Sequence, residues 1–215
     1  MAYLFASPLV IQTSPGADPI EEVAPIGFKA EMDSILSAMS ECGLHWRYTY
    51  QLANEPNLKS ALNSAPYGLH FSGHGYENKK SLFGNDQKAL RIAQSKKGDI
   101  LIFEQDTGAS KLFFGEDLEK VLKQQEENKL EFVVVNSCHS EYCGKVFQQA
   151  QIPHVVCIQK NKEVKDEAAI LFSKVFYPAV YNSKKSICNA FAYAVDSVQQ
   201  ELGKLEATKF VLLLS

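Results

Sequence analysis

Two short segments carry side chains that could do covalent chemistry together: His70-Phe71-Ser72-Gly73-His74-Gly75 and Asn136-Ser137-Cys138-His139-Ser140-Glu141. Each follows an apolar run, so each stands where a strand would end. A thiol attacks a carbonyl carbon as its thiolate, so Cys138 needs a base brought to it by the fold. His74 is the candidate: its imidazole would take the thiol proton and later hand it to a leaving amine. Glycines on both sides of His74 disfavour helix and suit a sharp strand-to-loop turn. Gly75, which has no Cβ, would let a bound carbonyl come close. Its backbone N–H and that of Cys138 would form an oxyanion hole, where loss of one donor costs about 3 kcal/mol. The pattern points to a peptidase.

The neighbouring residues read differently. His70 lies inside its strand and is expected to be structural, and His139 is expected to point away from Cys138, because successive side chains diverge at a strand end. His70, His74, Cys138, His139 and Cys143 include good zinc ligands. However, Ser72-Gly73 and Gly75 forbid the helix on which His-x-x-x-His binds metal, and no Cys-x-x-Cys pair is present. No metal is expected. Taken alone, Cys138 could be an inert core thiol. Cys42, Cys143, Cys157 and Cys188 are expected to be buried or half-buried thiols, and Trp46 and Tyr48 to alternate on a strand and fill core.

These residues need a frame. Ala2 to Phe5 reads as a strand, resuming through Leu9-Val10-Ile11, before Pro15, Gly16, Pro19 and Pro25 impose a loop. From Ile26 to Cys42 the apolar residues Phe28, Met32, Ile35, Leu36 and Met39 recur at helical spacing, with Gly43 as the stop. His45 to Tyr50 reads as a strand, Asn57 to Asn63 as a short helix and Gly68 to Phe71 as a strand. Tyr76 to Gly98 reads as a loop with one helical turn. Asp99 to Glu104 and Lys111 to Phe114, parted by Thr107-Gly108, suggest a β-ribbon. Gly115 to Asn128 follows as a helix with an acidic first turn. Phe132-Val133-Val134-Val135 fits a central parallel strand buried on both faces. A helix from Tyr142 to Ala150, a strand from Val155 to Ile158, helices over Val164 to Tyr181 and Lys185 to Gly203, and a strand from Phe210 to Leu214 complete the chain. Such alternation implies an α/β fold with a parallel sheet between helices. Its active crevice would lie beyond the carboxyl ends of the strands, where both motifs sit.

At 215 residues and 46% hydrophobic composition the chain fits one domain, residues 1–215. A formal net charge of −3 gives no reason to expect nucleic acid as a direct partner. The pairs Lys79-Lys80, Lys96-Lys97 and Lys184-Lys185 read as solvated loops. Five cysteines, an odd number in a chain large enough to fold without staples, suggest a reducing compartment, hence the cytoplasm. No apolar run approaches the roughly 20 residues of a membrane span, so no membrane association is expected, and Met1 to Phe5 lacks the positive flank of a signal peptide. No Gly-rich phosphate loop or cofactor fingerprint is visible, and no cofactor is expected.

The two motifs together resemble those of the caspase-like cysteine proteases, in which a Ser-Gly-His-Gly element and an Asp-Ser-Cys-His-Ser element carry the dyad of metacaspases. The resemblance extends over nearly the whole chain to CHAT domains, a branch that includes relatives of separase. It is carried further by Leu101 to Glu104, Phe114 to Leu118, Val164 to Ala169 with Phe172 and Phe176-Tyr177, Ser186 to Ala194, and Phe210 to Leu212. It implies a caspase-like three-layer α/β/α sandwich with a mostly parallel central sheet and a β-ribbon. Cys138 is then the nucleophile, His74 the base and acid, and Gly75 the oxyanion donor. It also implies a protein substrate and a regulatory sensor module of TPR or NTPase type. Where metacaspases carry Asp two residues before the nucleophile, in a pocket for Arg or Lys, this chain has Asn136. A basic P1 preference is therefore in doubt, unless Asp166 or Glu104 lines the pocket. The alternatives are a catalytically silent caspase-like module that binds or scaffolds a partner, and a small-molecule hydrolase or transferase on the same frame.

Overall fold

A computed structural model of the chain describes residues 1–8, 10–11, 21–22, 25–77, 87–125, 129–182 and 186–215. In chain order the elements are β1 (Ala2–Phe5), β2 (Val10–Ile11), β3 (Glu21–Glu22), α1 (Phe28–Glu41), β4 (Thr49–Leu52), α2 (Glu55–Asn63), β5 (Gly68–Ser72) and β6 (Gly75–Tyr76). There follow α3 (Gln87–Ser95), β7 (Ile100–Glu104), β8 (Ser110–Phe114), α4 (Gly115–Lys123), β9 (Phe132–Asn136), α5 (Glu141–Gln149) and β10 (His154–Ile158). The chain ends with α6 (Asp166–Asn182), α7 (Ile187–Leu202), α8 (Lys204–Ala207) and β11 (Phe210–Leu214).

The six-stranded main sheet has the order β11-β10-β9-β5-β1-β4, parallel throughout except for antiparallel β11. Period-two alternation sends its side chains to two helical layers. Leu4, Leu69, Phe71, Val133 and Val135 pack with Leu58 of α2, Leu118 of α4 and Val146 and Phe147 of α5. Tyr3, Phe132, Val134 and Val156 pack on the other side with Met32 and Ile35 of α1, Phe172 and Phe176 of α6 and Ala194 of α7. This is a mixed, mostly parallel sheet between helical layers. Burying each of the large apolar side chains in these two cores contributes about 1.5–3 kcal/mol. β9 is buried at all five positions and flanked by β10 and β5, as its Val run implies.

The helix ends follow local chemistry. The Asn54 side chain accepts from Asn57 N–H at 2.8 Å to open α2, and Asp117 accepts from Phe114 N–H at 3.3 Å to open α4. The expected ribbon forms a second sheet in the order β6-β7-β8, turning at Gly108, whose φ of +78° glycine adopts without cost.

Several expectations are corrected. Val10–Ile11 does not resume β1 but pairs antiparallel with Glu21–Glu22 in a separate two-stranded sheet. Leu9, Pro15, Gly16 and Pro19 lie outside the described residues. The strand expected over His45 to Tyr50 begins only at Thr49, so Trp46 and Tyr48 do not alternate on it. Trp46 instead leans on Tyr177 and Tyr181, at ring-centroid distances of 5.8 and 5.3 Å, and Tyr48 is exposed. The stretch expected as a loop from Tyr76 to Gly98 contains the end of β6 and nine-residue α3, which buries Leu90 and Ala93 against Ile100, Ile102 and Phe114 of the ribbon. Lys96 is not simply solvated: it donates to Asp117 Oδ1 at 2.6 Å. Lys79-Lys80 and Lys184-Lys185 lie outside the described residues. Among those described, no helix is long and apolar enough to cross a membrane.

Candidate active site

β1 connects onward to β4 on one side of the sheet, whereas β5 connects to β9 on the other, so their carboxyl ends part and leave a crevice. A cavity of about 210 Å³ lies at this edge, and its lining includes Ser72, Gly73 and His74 after β5, Asn136, Ser137 and Cys138 after β9, Glu31 of α1 and Asp166 of α6. The structure thus brings Cys138 and His74 onto one cavity from strands that pair in register, Ser72 opposite Asn136. Gly73 N–H donates to Asn136 O at 3.3 Å and ties the two exits together.

The turn from β9 into α5 is held tightly. Ser140 Oγ, fully buried, donates to Val135 O at 3.1 Å and accepts from Ile158 N–H at 3.0 Å, so it pins the turn to two strands. His139 has a φ of +56°, a left-handed conformation that few non-glycine residues adopt and that persists when the surroundings enforce it. Its N–H donates to Lys162 O at 3.0 Å. The His139 ring lies 3.7 Å from a Glu77 carboxylate oxygen and 3.8 Å from one of Glu163, and it is not part of the cavity lining. Replacing Ser140 with alanine strands the buried Ile158 N–H and takes one donor from Val135 O, which keeps Ser137 N–H. Urea denaturation should then show a loss of about 1–3 kcal/mol, and an unchanged midpoint would contradict the role given to this hydroxyl.

Gly75 follows His74 at the start of β6 and is not part of the cavity lining. His74 O accepts from Ile102 N–H at 3.0 Å, and Gly75 pairs with Leu101 as the next, non-hydrogen-bonded pair of the ladder. Antiparallel alternation therefore turns the Gly75 N–H away from β7. A Cβ at this glycine would collide with Cys138 O and Ser137 Oγ, so only glycine lets β6 approach the Cys138 turn this closely.

The Cys138 thiol rests against Val164 O at 3.8 Å. Burial pushes its pKa up, and the carboxylates of Glu163 and Asp166 add to the effect. Both effects favour the neutral thiol over the thiolate. Cys143 is pushed up much further by burial and Cys157 to about 12, and neither lines the cavity. Cys42, expected to be at least half-buried, is exposed, while Cys188 is half-buried.

The expected substrate-binding residues divide. Asn136 and Asp166 both line the cavity, and Asp166 Oδ2 accepts from Gly27 N–H at 2.9 Å, which joins the starts of α1 and α6. Glu104 is not part of the lining: its carboxylate accepts from Ser7 N–H at 3.0 Å, and Ser7 Oγ accepts from Ile26 N–H. It supports the wall at one remove, because the end of a ribbon strand does not open on the crevice of the main sheet.

His70 is structural, as its place in the strand implies. Fully buried, it stacks on Tyr3 at 4.4 Å, meets Tyr177 OH at 2.6 Å through Nδ1 and places Nε2 3.3 Å from Glu31 Oε1. Glu31 also accepts from Tyr3 OH at 2.8 Å, Asn136 Nδ2 at 2.6 Å and Ser173 Oγ at 2.6 Å. Burial alone would raise this carboxyl, but the His70 charge and bonds from His70, Ser173 and Ser72 outweigh it and hold the pKa at about 2. Glu31, Ser140 and Ser173 were not singled out by sequence. The signal available for Glu31 was an acid lying on the apolar stripe of α1 between Phe28 and Ile35.

Among the described residues no cluster of three or more His, Cys, Asp or Glu side chains could hold a metal ion, and the zinc candidates are divided between the Glu31 network (His70), the cavity (His74 and Cys138), the carboxylates of Glu77 and Glu163 (His139) and the hydrophobic core (Cys143). No family model matches the chain, and no curated protein matches it.

Proposed function

We propose that this chain is a caspase-like cysteine endopeptidase of CHAT type that cleaves a protein substrate through Cys138 and His74. One observation carries the reading: a parallel sheet delivers a cysteine and a histidine from adjacent strand ends to one cavity, with the Gly75 backbone against the cysteine turn. The three-layer arrangement and the ribbon after the histidine support the same family.

In this mechanism His74 accepts the Cys138 proton as the sulfur bonds to the scissile carbonyl carbon, and the carbonyl electron pair moves to oxygen. The N–H groups of Gly75 and Cys138 stabilise the oxyanion. Collapse breaks the C–N bond, and His74 gives its proton to the leaving amine. Water then attacks the thioester with His74 as base, releasing a carboxylic acid and restoring the thiol. A neutral thiol resting on Val164 O fits an enzyme held quiet until substrate or a regulatory partner, such as a TPR or NTPase sensor module, reorganises the Lys162–Lys165 segment. Five free cysteines support a cytoplasmic setting.

The test is selective labelling. A peptidyl acyloxymethyl ketone, whose carboxylate leaves as sulfur bonds to carbon, should modify Cys138 in the wild-type chain and leave Cys138→Ala unmodified, as read by intact mass. Reaction at Cys138 no faster than at exposed Cys42, with candidate activators present, would favour the silent binding module instead.

A further inference from the structure

One buried carboxylate meets both strands that carry the dyad. Glu31 lies in the first turn of α1, is 2% exposed and belongs to the cavity lining. Its Oε1 accepts from Asn136 Nδ2 at 2.6 Å, and Asn136 is the last residue of β9, two before Cys138. The same Oε1 lies 3.3 Å from Nε2 of His70, which is fully buried in β5, four residues before His74.

The helices hold this carboxylate in place. Ser173 of α6 donates to Oε1 at 2.6 Å and receives Asn136 Nδ2 at 2.9 Å, so the end of β9 is tied to α1 and α6 together. Asp166 of α6 also accepts from Gly27 N–H at 2.9 Å, one residue before α1 begins. Tyr3 of β1 donates to Oε2 at 2.8 Å. An ionised carboxylate only accepts, so each neighbouring donor must turn towards it, and such charge-assisted bonds are short and strong where water is excluded.

The main-sheet ladder sets β5 against β9 only as far as Ser72 opposite Asn136. Cys138 and His74 each lie two residues past that pair, where the chain leaves the sheet in a new direction. Small rotations of either strand end are amplified there. From this juxtaposition we infer that Glu31 is a positioning residue of the dyad: by holding Asn136 and His70 on one oxygen, it sets the spacing of Cys138 and His74. It acts through these two side chains rather than on the substrate. The effect at stake is large, because a misplacement of about 1 Å between reacting groups can cost roughly 100-fold in rate.

The inference rests on the peptidase reading above, and its test separates the two. The full chain is treated with peptidyl acyloxymethyl ketones bearing Arg, Gln or norleucine at P1, and Cys138 modification is followed by intact mass over a range of probe concentrations. Glu31→Asp keeps the charge but draws the carboxylate back by one methylene, so that it no longer reaches both strands. It should lower the maximal rate of modification about 10- to 100-fold and leave the half-saturating probe concentration unchanged. Glu31→Gln keeps an oxygen within reach of Asn136 and His70 and should restore most of the lost rate. In a His74→Ala background no base remains to be placed, and Glu31→Asp should slow modification no further. A wild-type rate in Glu31→Asp overturns the inference and leaves the peptidase intact. Equal slowing with and without His74 means a structural role only and also overturns it, as does a Glu31→Gln rate as low as that of Glu31→Asp. Failure of every probe to favour Cys138 in the wild type removes both readings. Should Glu31→Asp not fold, as judged by circular dichroism, Asn136→Leu cuts the link to β9 alone. It should lower the maximal rate about tenfold, and an unchanged rate in the folded variant overturns the inference.

Discussion

Replacement of His74 by alanine is expected to cut peptide turnover by about 10²- to 10⁴-fold, the usual contribution of a positioned general base. The reason lies in Cys138. Its pKa is raised, first by burial and then by the carboxylates of Glu163 and Asp166, so the thiolate is disfavoured near neutral pH and the proposed reaction would depend on proton transfer to His74. The pH dependence gives the sign. Without His74, alkylation of Cys138 by a small reagent such as iodoacetamide should climb steadily with pH up to the elevated thiol pKa. Peptide turnover by the wild type should already be present at lower pH. Turnover in His74→Ala equal to that of the wild type would remove His74 from the mechanism, whatever its place beside Cys138 on the cavity.

What sequence made legible depended on whether local pattern and tertiary role agreed. β5 and β9 are buried on both faces, their apolar runs announce it, and the motifs at their ends fall on the crevice. The edge strand β4 is half-exposed and its register comes from pairing with β1, so the aromatic run from His45 to Tyr50 misled by several residues. α3 escaped because its burial against Ile100, Ile102 and Phe114 requires the ribbon to exist first. Glu104 was offered to the pocket for its charge alone, yet charge does not reveal which strand ends share a crevice. Asn136 stood out in the sequence, but its hydrogen bond to Glu31, a residue 105 positions away that only packing brings to it, could not be read there.

Glu31 is also where the largest loss of stability is expected. Removing its carboxylate in Glu31→Ala deprives Tyr3, Ser173, Asn136 and the fully buried His70 of their common acceptor. Breaking a buried pair by deleting one member typically costs about 3–5 kcal/mol, because the other is left desolvated without compensation. That is a large share of the roughly 5–15 kcal/mol that hold a domain folded. The acid limb follows from the same group. A carboxyl lowered from 4.5 to about 2 binds its proton less readily when folded than when unfolded, so it contributes on the order of 3 kcal/mol above pH 4.5. That contribution is lost as the pH falls from 4.5 towards 2. Urea midpoints across this interval should decline steeply for the wild type and less steeply for Glu31→Gln, which keeps the shape but does not titrate. Parallel curves for the two proteins would show that Glu31 is not held ionised by the fold.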